Sequence, residues 1–214
     1  MLPLGEEAWI VTLGDRVELS VHNRVVAFTR TVEEAALDGV REVVPGYTTV
    51  TVCFDALTTD AEALRAELER LASIRKPAAP NPELQGRTHL LPVRYDGPDL
   101  LEVASRTGLS PEDVVRRHVA REYRVYLLGF APGFAYLGDL DPALELPRRP
   151  SPRTRVPPGS VAIAGLQTAV YPLPPPGGWH LIGSTGVELF DAGRDPPALL
   201  AVGDRVRFVP VDID

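Results

Sequence analysis

Between Gly129 and Thr185 the chain carries eleven of its 22 prolines and eight of its 18 glycines. No helix forms through that density, because each interior proline removes a backbone donor and clashes with the turn before it. Nor is the composition that of a disordered segment. Phe130, Phe134, Tyr136, Val161, Ile163, Tyr171, Trp179 and Ile182 supply side chains suited to a core. Short apolar strands joined by rigid turns satisfy both conditions, as in a small β-barrel. Loops stiffened by proline and opened by glycine also hold a site at little entropic cost.

The rest of the chain is more regular. Trp9 to Leu13 reads as a short strand. Val21, Val25, Phe28, Val32 and Ala35 then recur at helical spacing, which predicts a helix from about Ser20 to Ala36. Val40 to Val44 and Thr48 to Phe54 read as strands around a Pro45-Gly46 turn. Thr59 and Glu62 make a capping box for a helix with Leu64, Leu68 and Leu71 on one face. A strand from His89 to Arg94 would complete a βαββαβ, ferredoxin-like unit, with a proline-rich linker from Lys76 to Arg87 before it. Two short helices follow, about Asp99 to Arg106 and from Ser110 onward, the second capped by Ser110 and started by Pro111. This pair superficially resembles a DNA-binding helix-turn-helix. The acidic chain and the flanking strands instead favour a helical connection on the barrel. Tyr123 to Leu128, Val187 to Phe190 and Asp204 to Val209 are further expected strands.

Charge and composition narrow the function classes. A formal net charge of -7 argues against nucleic acid or an anionic membrane as partner. The single Cys53 permits no internal disulfide, and on its strand it is expected to be an inert thiol. MLPLGEEAW lacks a basic, apolar leader pattern, and no stretch of about 20 apolar residues follows. A cytoplasmic protein is expected. Lys76, the only lysine, has no glycine-rich loop before it, so a P-loop for ATP is absent. Met1 is the only methionine, so the Met-Lys-Met signature of a biotin carrier is missing too.

Catalytic constellations are equally sparse. The sequence has no G-x-S-x-G, and Ser184 reads as a turn residue. His22, His89, His118 and His180 show no metal-ligand spacing, so no metal is expected. What remains suits an anionic or amide-bearing small molecule. Arg148, Arg149, Arg153 and Arg155 share one proline-braced loop, and guanidinium forks grip carboxylates. For Arg148 and Arg149 a solvated loop is the expected role. Arg153 and Arg155, two residues apart, are the candidate ligand contacts, with Arg155 the preferred anchor. Gln167 and Tyr171 offer polar contacts beside Gly165, and Gly177 and Gly178 let backbone approach a ligand beside the Trp179 wall. Pro132, Gly133, Phe134 and Tyr136 complete the candidate pocket, whereas Phe130 reads as core and His180 should face away from Trp179.

The ordered blocks GFAPGFAYLGDLDP, PRTRVPPGSVAIAG and PPGGWHLIGST resemble one family closely. It is the family of the B subunit of 5-oxoprolinase, also labelled allophanate hydrolase subunit 1. Its relatives include a sporulation kinase inhibitor and part of the carboxyltransferase domain of urea amidolyase. Leu166 and Ala169 stand where that family usually has glycine, and Pro175 where it has serine. The resemblance implies an α+β chain, with a ferredoxin-like subdomain at 1–87 followed by a cyclophilin-like β-barrel at 88–214. It also implies ATP-dependent opening of 5-oxoproline to glutamate, with ATP bound elsewhere in the complex and with C-like and A-like subunits as partners. A regulator of a sensor histidine kinase is the alternative within the same resemblance. A cyclophilin-type prolyl isomerase rests on fold analogy alone.

Overall fold

In the computed structural model, residues 1–74 and 86–211 are described. The chain divides into two units, Met1–Gln85 and Gly86–Asp214. The expected linker falls almost wholly outside the described residues.

The first unit is a four-stranded antiparallel sheet with two helices. Its strands are β1 (Leu2–Pro3), β2 (Ala8–Thr12), β3 (Val40–Pro45) and β4 (Thr49–Phe54), in the order β1-β2-β4-β3. Helix α1 (Leu19–Ala35) and helix α2 (Ala61–Ser73) cover one face. Val50, Val52 and Phe54 alternate into the core, meeting Val25, Phe28 and Val32 from α1 and Leu64, Leu68 and Leu71 from α2. Ala35, placed on the apolar stripe by spacing, is exposed; His22 takes a buried place on that face instead. The cap of α2 is Asp60 rather than Thr59. Its carboxylate accepts from Glu62 N–H and Ala63 N–H, both at 3.0 Å, while Thr59 closes the preceding turn on Asp55. A carboxylate there satisfies two free donors and faces the positive helix end.

The strand expected to complete this unit lies elsewhere. β5 (Thr88–Val93) pairs in parallel with β11 (Arg205–Pro210) in the second unit. Leu91 and Val93 alternate into that unit's core, and the edge beside β2 is filled by the short β1. The first unit is thus ferredoxin-like in its βαββα order, with β1 in the fourth strand's place.

The second unit is a seven-stranded, nearly closed barrel. It adds β6 (Tyr123–Leu128), β7 (Ala135–Gly138), β8 (Ser160–Ala164), β9 (Gln167–Val170) and β10 (His180–Ser184) to β5 and β11. The order is β10-β8-β9-β7-β6-β11-β5. The two edges meet at one bridge, where Arg94 and Ser184 exchange backbone hydrogen bonds of 2.8 and 2.7 Å. Gly97 sits just beyond it, where a Cβ would come within 2.3 Å of the Ile182 carbonyl carbon. Only glycine lets the two backbones cross that closely. Val187 to Phe190 forms no strand. Thr185 Oγ1 accepts from Val187 N–H and turns the chain, leaving one bridge from Phe190 to Ala198.

Helices α3 (Leu100–Thr107) and α4 (Pro111–Val119) bury Val103, Ala104 and Val114 in the barrel core. Ser110 Oγ accepts from Asp113 N–H as the expected cap. The arginines that suggested DNA binding are engaged locally: Arg116 with Asp113, Arg117 with Asp141, and Arg121 with the Asp139 carbonyl. Among the described residues no helix is long and apolar enough to cross a membrane.

His118 ties α4 to the sheet from full burial. Thr168 Oγ1–H donates to the Ala162 carbonyl at 3.0 Å, so His118 Nε2–H must donate to Thr168, at 2.9 Å. His118 Nδ1 then accepts from the Tyr95 hydroxyl at 2.8 Å, and the ring stacks on Phe208. Burial pushes the imidazole down to about 3. Between about pH 6.5 and about 3 the unfolded chain therefore binds a proton that the folded chain refuses, and stability falls as pH falls, by up to about 1.4 kcal/mol per pH unit from this group. We expect denaturant midpoints of the wild type to drop more steeply from about pH 7 to about pH 4.5 than those of His118→Gln. Equal slopes would refute this assignment.

Candidate functional site

Strands β8 and β9 present different side chains on their two faces. Val161, Ile163 and Val170 enter the barrel core; Ala162, Ala164 and Ala169 lie on the opposite face, with Leu181 of β10 beside them. These alanines are small, and the room above them is filled by Phe134, Tyr171 and Trp179. Phe134 is the hub. It makes edge-to-face contacts with Tyr136 at 4.9 Å, Tyr171 at 5.2 Å, Phe130 at 5.3 Å and Trp179 at 6.0 Å between ring centroids. Each such contact contributes about 0.5–1.5 kcal/mol beyond area burial, so the rings form a rigid wall.

That wall encloses a cavity of about 190 Å³ lined by Phe130, Phe134, Tyr136, Tyr171, Trp179 and Gly177, with Gly178, Pro152, Pro176 and Arg148 at its sides. Burial pushes the Tyr136 and Tyr171 hydroxyls upward, so both serve as neutral hydrogen-bonding groups. Arg148 holds its guanidinium 5.9 Å from the Trp179 ring centroid, a cation–π placement that leaves its N–H edge available to an anion.

Six residues expected at the site converge here: Phe134, Tyr136, Tyr171, Gly177, Gly178 and Trp179. Others stand apart from the lining. Pro132 is exposed, and the backbone of Gly133 abuts Leu189 and Phe190. Gln167 pairs with Gly138 and Ala164 in β9. Arg153 turns to Asp99, with Nη2 to Oδ1 at 2.6 Å. Arg155 is exposed and does not line the cavity. Conversely, Arg148 and Phe130 line it. Neighbours in an extended loop point to opposite sides, so Arg149 on Asp99 leaves Arg148 for the cavity; the sequence does not reveal which arginine Asp99 takes. Phe130 is 60% exposed rather than core, with a left-handed φ of 72°. Such a backbone costs about 1–3 kcal/mol in a non-glycine residue, and here it holds an aromatic ring at the cavity mouth. His180 is buried away from the lining, with Nε2 donating to the Pro147 carbonyl at 3.0 Å. Among the described residues no group of three or more His, Cys, Asp or Glu is arranged to hold a metal.

A barrel with this aromatic pocket, preceded by a small ferredoxin-like unit, is of the carboxyltransferase-domain type. Residues 1–200 match the family model of the carboxyltransferase domain, subdomain C and D. The chain is 44% identical to the B subunit of 5-oxoprolinase from Escherichia coli O157:H7, over 97% of this chain and 94% of that protein. It is 41% identical to the protein of the same name from Bacillus subtilis (strain 168), over 97% of this chain and 91% of that one. The crystal structure of TTHA0988 superposes with a TM-score of 0.85 at 41% identity, covering 97% of this chain and 40% of that longer chain. The chain belongs to the family of 5-oxoprolinase B subunits.

The two glycines of the pocket wall differ in what they tolerate. A Cβ on Gly177 would lie 2.5 Å from the Tyr171 hydroxyl and 2.9 Å from Val156 Cγ2, whereas one on Gly178 meets nothing nearer than 3.6 Å. Gly177→Ala should therefore cost about 1–3 kcal/mol through overpacking, and Gly178→Ala well under that. Thermal melting of the two variants checks this. Equal shifts would mean that the wall yields around Gly177.

Proposed function

We propose that this chain is the B subunit of an ATP-dependent 5-oxoprolinase, and that its aromatic cavity receives the cyclic amide. The observation that carries the reading is the pocket itself. Flat aromatic walls suit a five-membered ring, and Arg148 stands at the edge where a carboxylate would sit. A cavity of about 190 Å³ is below the roughly 300–1,000 Å³ of drug-sized sites. It fits a small lactam acid rather than a nucleoside triphosphate. The names of two nearly full-length relatives support the same substrate.

Hydrolysis breaks the lactam C–N bond: the carbonyl carbon gains the water oxygen, and the ring nitrogen leaves with a proton. A stable amide needs its carbonyl activated first, which is what ATP supplies to the reaction. In this chain Arg148 would orient the carboxylate, the rings would exclude water from the ring's faces, and the tyrosine hydroxyls would donate to the ligand's oxygens. The lining contains no carboxylate, imidazole or thiol to move the protons. On this reading a C-like subunit completes the site, an A-like subunit binds ATP, and the complex works in the cytoplasm.

The isolated chain is expected to turn over neither ATP nor 5-oxoproline, while co-purified B-, C- and A-like subunits form glutamate. In that complex Arg148→Ala should raise KM about tenfold, equivalent to about 1.4 kcal/mol, and Arg155→Ala should stay within about twofold. Robust turnover by the chain alone, or equal effects of the two arginine variants, would overturn the reading.

A further inference from the structure

Asp99 occupies the N-cap position of α3, yet its side chain makes no capping bond to that helix. It is only 3% exposed, and both oxygens are directed elsewhere. Oδ1 accepts from Arg149 Nη1 at 3.0 Å and Arg153 Nη2 at 2.6 Å; Oδ2 accepts from Leu181 N–H at 2.7 Å. The Asp99 N–H in turn donates to the Leu181 carbonyl at 3.0 Å. One residue thus holds a barrel strand and two arginines of the 147–153 loop.

The same loop and the segment before β10 are laced by backbone bonds. Arg149 N–H donates to the Gly178 carbonyl at 2.7 Å, and Arg153 and Gly177 exchange bonds of 2.8 and 2.9 Å. Everything on the cavity's Arg148 side is therefore attached to the loop that Asp99 grips: Arg148, Pro152, Gly177, Gly178 and Trp179. Burial alone would push the Asp99 carboxyl up. The hydrogen bonds from Arg153 and Leu181 N–H, with the charges of Arg153 and Arg149, outweigh it and hold the group below the usual carboxylate range. Arg149 Nε and Arg153 Nη1 are buried without a hydrogen-bond partner, so these two atoms add nothing to the hold that the Asp99 carboxylate supplies. Arg149 keeps a second carboxylate, Glu102, at 2.8 Å; for Arg153, Asp99 is the carboxylate that the structure records.

We infer that Asp99 is a positioning residue for ligand binding: through Arg149 and Arg153 it sets the place of Arg148 and Trp179 at the cavity, without touching the ligand. The inference rests on the proposed function for the identity of the ligand, but not for the geometry it asserts. Neutral asparagine at this position keeps the volume and an acceptor for Leu181 N–H, and loses the charge that gathers the two arginines. A residue that merely fills space or ties down the helix start would accept that exchange. A charged clasp would not.

Two measurements on Asp99→Asn decide it. In the reconstituted complex with 5-oxoproline, KM should rise about tenfold with kcat within about twofold, because a displaced Arg148 weakens binding and leaves the protein groups that move protons unchanged. In the chain with Trp9→Phe, Trp179 is the only tryptophan, and its acrylamide quenching constant should rise about twofold or more as the loop lifts from a ring now 4% exposed. Arg149→Gln, which leaves the Arg153 half of the clasp, should give a smaller rise in both and covers the case in which Asp99→Asn does not fold. Unchanged KM and unchanged quenching in a folded variant would overturn the inference. A wild-type complex that forms no glutamate would overturn the proposed function instead, and the quenching comparison would still decide for or against the clasp.

Discussion

Everything in the second unit follows from strands buried on both faces. A barrel strand usually offers one face to the core and one to water. In β8 to β10 both faces are covered, one by the barrel core and the other by the ring cluster around Phe134. That requirement explains why Val161 to Ala164 and Ala169-Val170 are apolar throughout, why alanine alternates with larger aliphatics, and why the buried Thr168 hydroxyl is tied to His118 and the Ala162 carbonyl. Larger residues at 162, 164 and 169 would displace Phe134, Tyr171 and Trp179, and the cavity would vanish with them. The pocket thus lies between the segments that cover these strands, with Tyr136 of β7 the one lining residue on a strand, and it depends on the small alanines beneath.

The proline-rich segment has a matching logic. The alanine face is covered by segments outside the helices and strands, held close enough to exclude water. Loop 147–153 and residues 174–178 provide that cover through a few backbone bonds and one buried carboxylate, while their prolines keep the unfolded chain stiff and lower the entropy lost on folding. The charged groups beneath this cover are interdependent. Without Asp99 the half-buried Arg153 would lose the carboxylate it pairs with and Arg149 would be left with Glu102 alone, which is more costly than never placing the charges there.

Much of this was legible in the residues. The stripes Leu64-Leu68-Leu71 and Val50-Val52-Phe54 identified the first core because they depend only on local period. Ser110 and Pro111 marked a helix start for equally local reasons. The aromatic and glycine members of the pocket were visible too, since large rings among prolines have few other uses. Three things were not legible, and two of them depend on a distant partner. β5 reads as a plausible last strand for either unit until β11, more than a hundred residues later, takes it. Four arginines in one loop look alike until Asp99 selects two of them. Phe130 reads as core because nothing local announces its left-handed backbone.

The chemistry of the lining sets a limit on what such a pocket contributes. Rings and a guanidinium bind a planar anion in the same way before and during reaction, and binding that does not change along the path lowers KM without raising kcat. Acceleration needs groups that respond to charge as it develops at the carbonyl, or that transfer protons to a leaving nitrogen. The ten lining residues include neither a carboxylate nor an imidazole; His180 donates to Pro147 and stands outside the lining, and Asp99 accepts from three donors. A pocket built in this way fits one half of a divided active site. On the proposed reading, its rigidity is then the useful property, because a partner's acid or base works only if the amide is held within a fraction of an ångström of it.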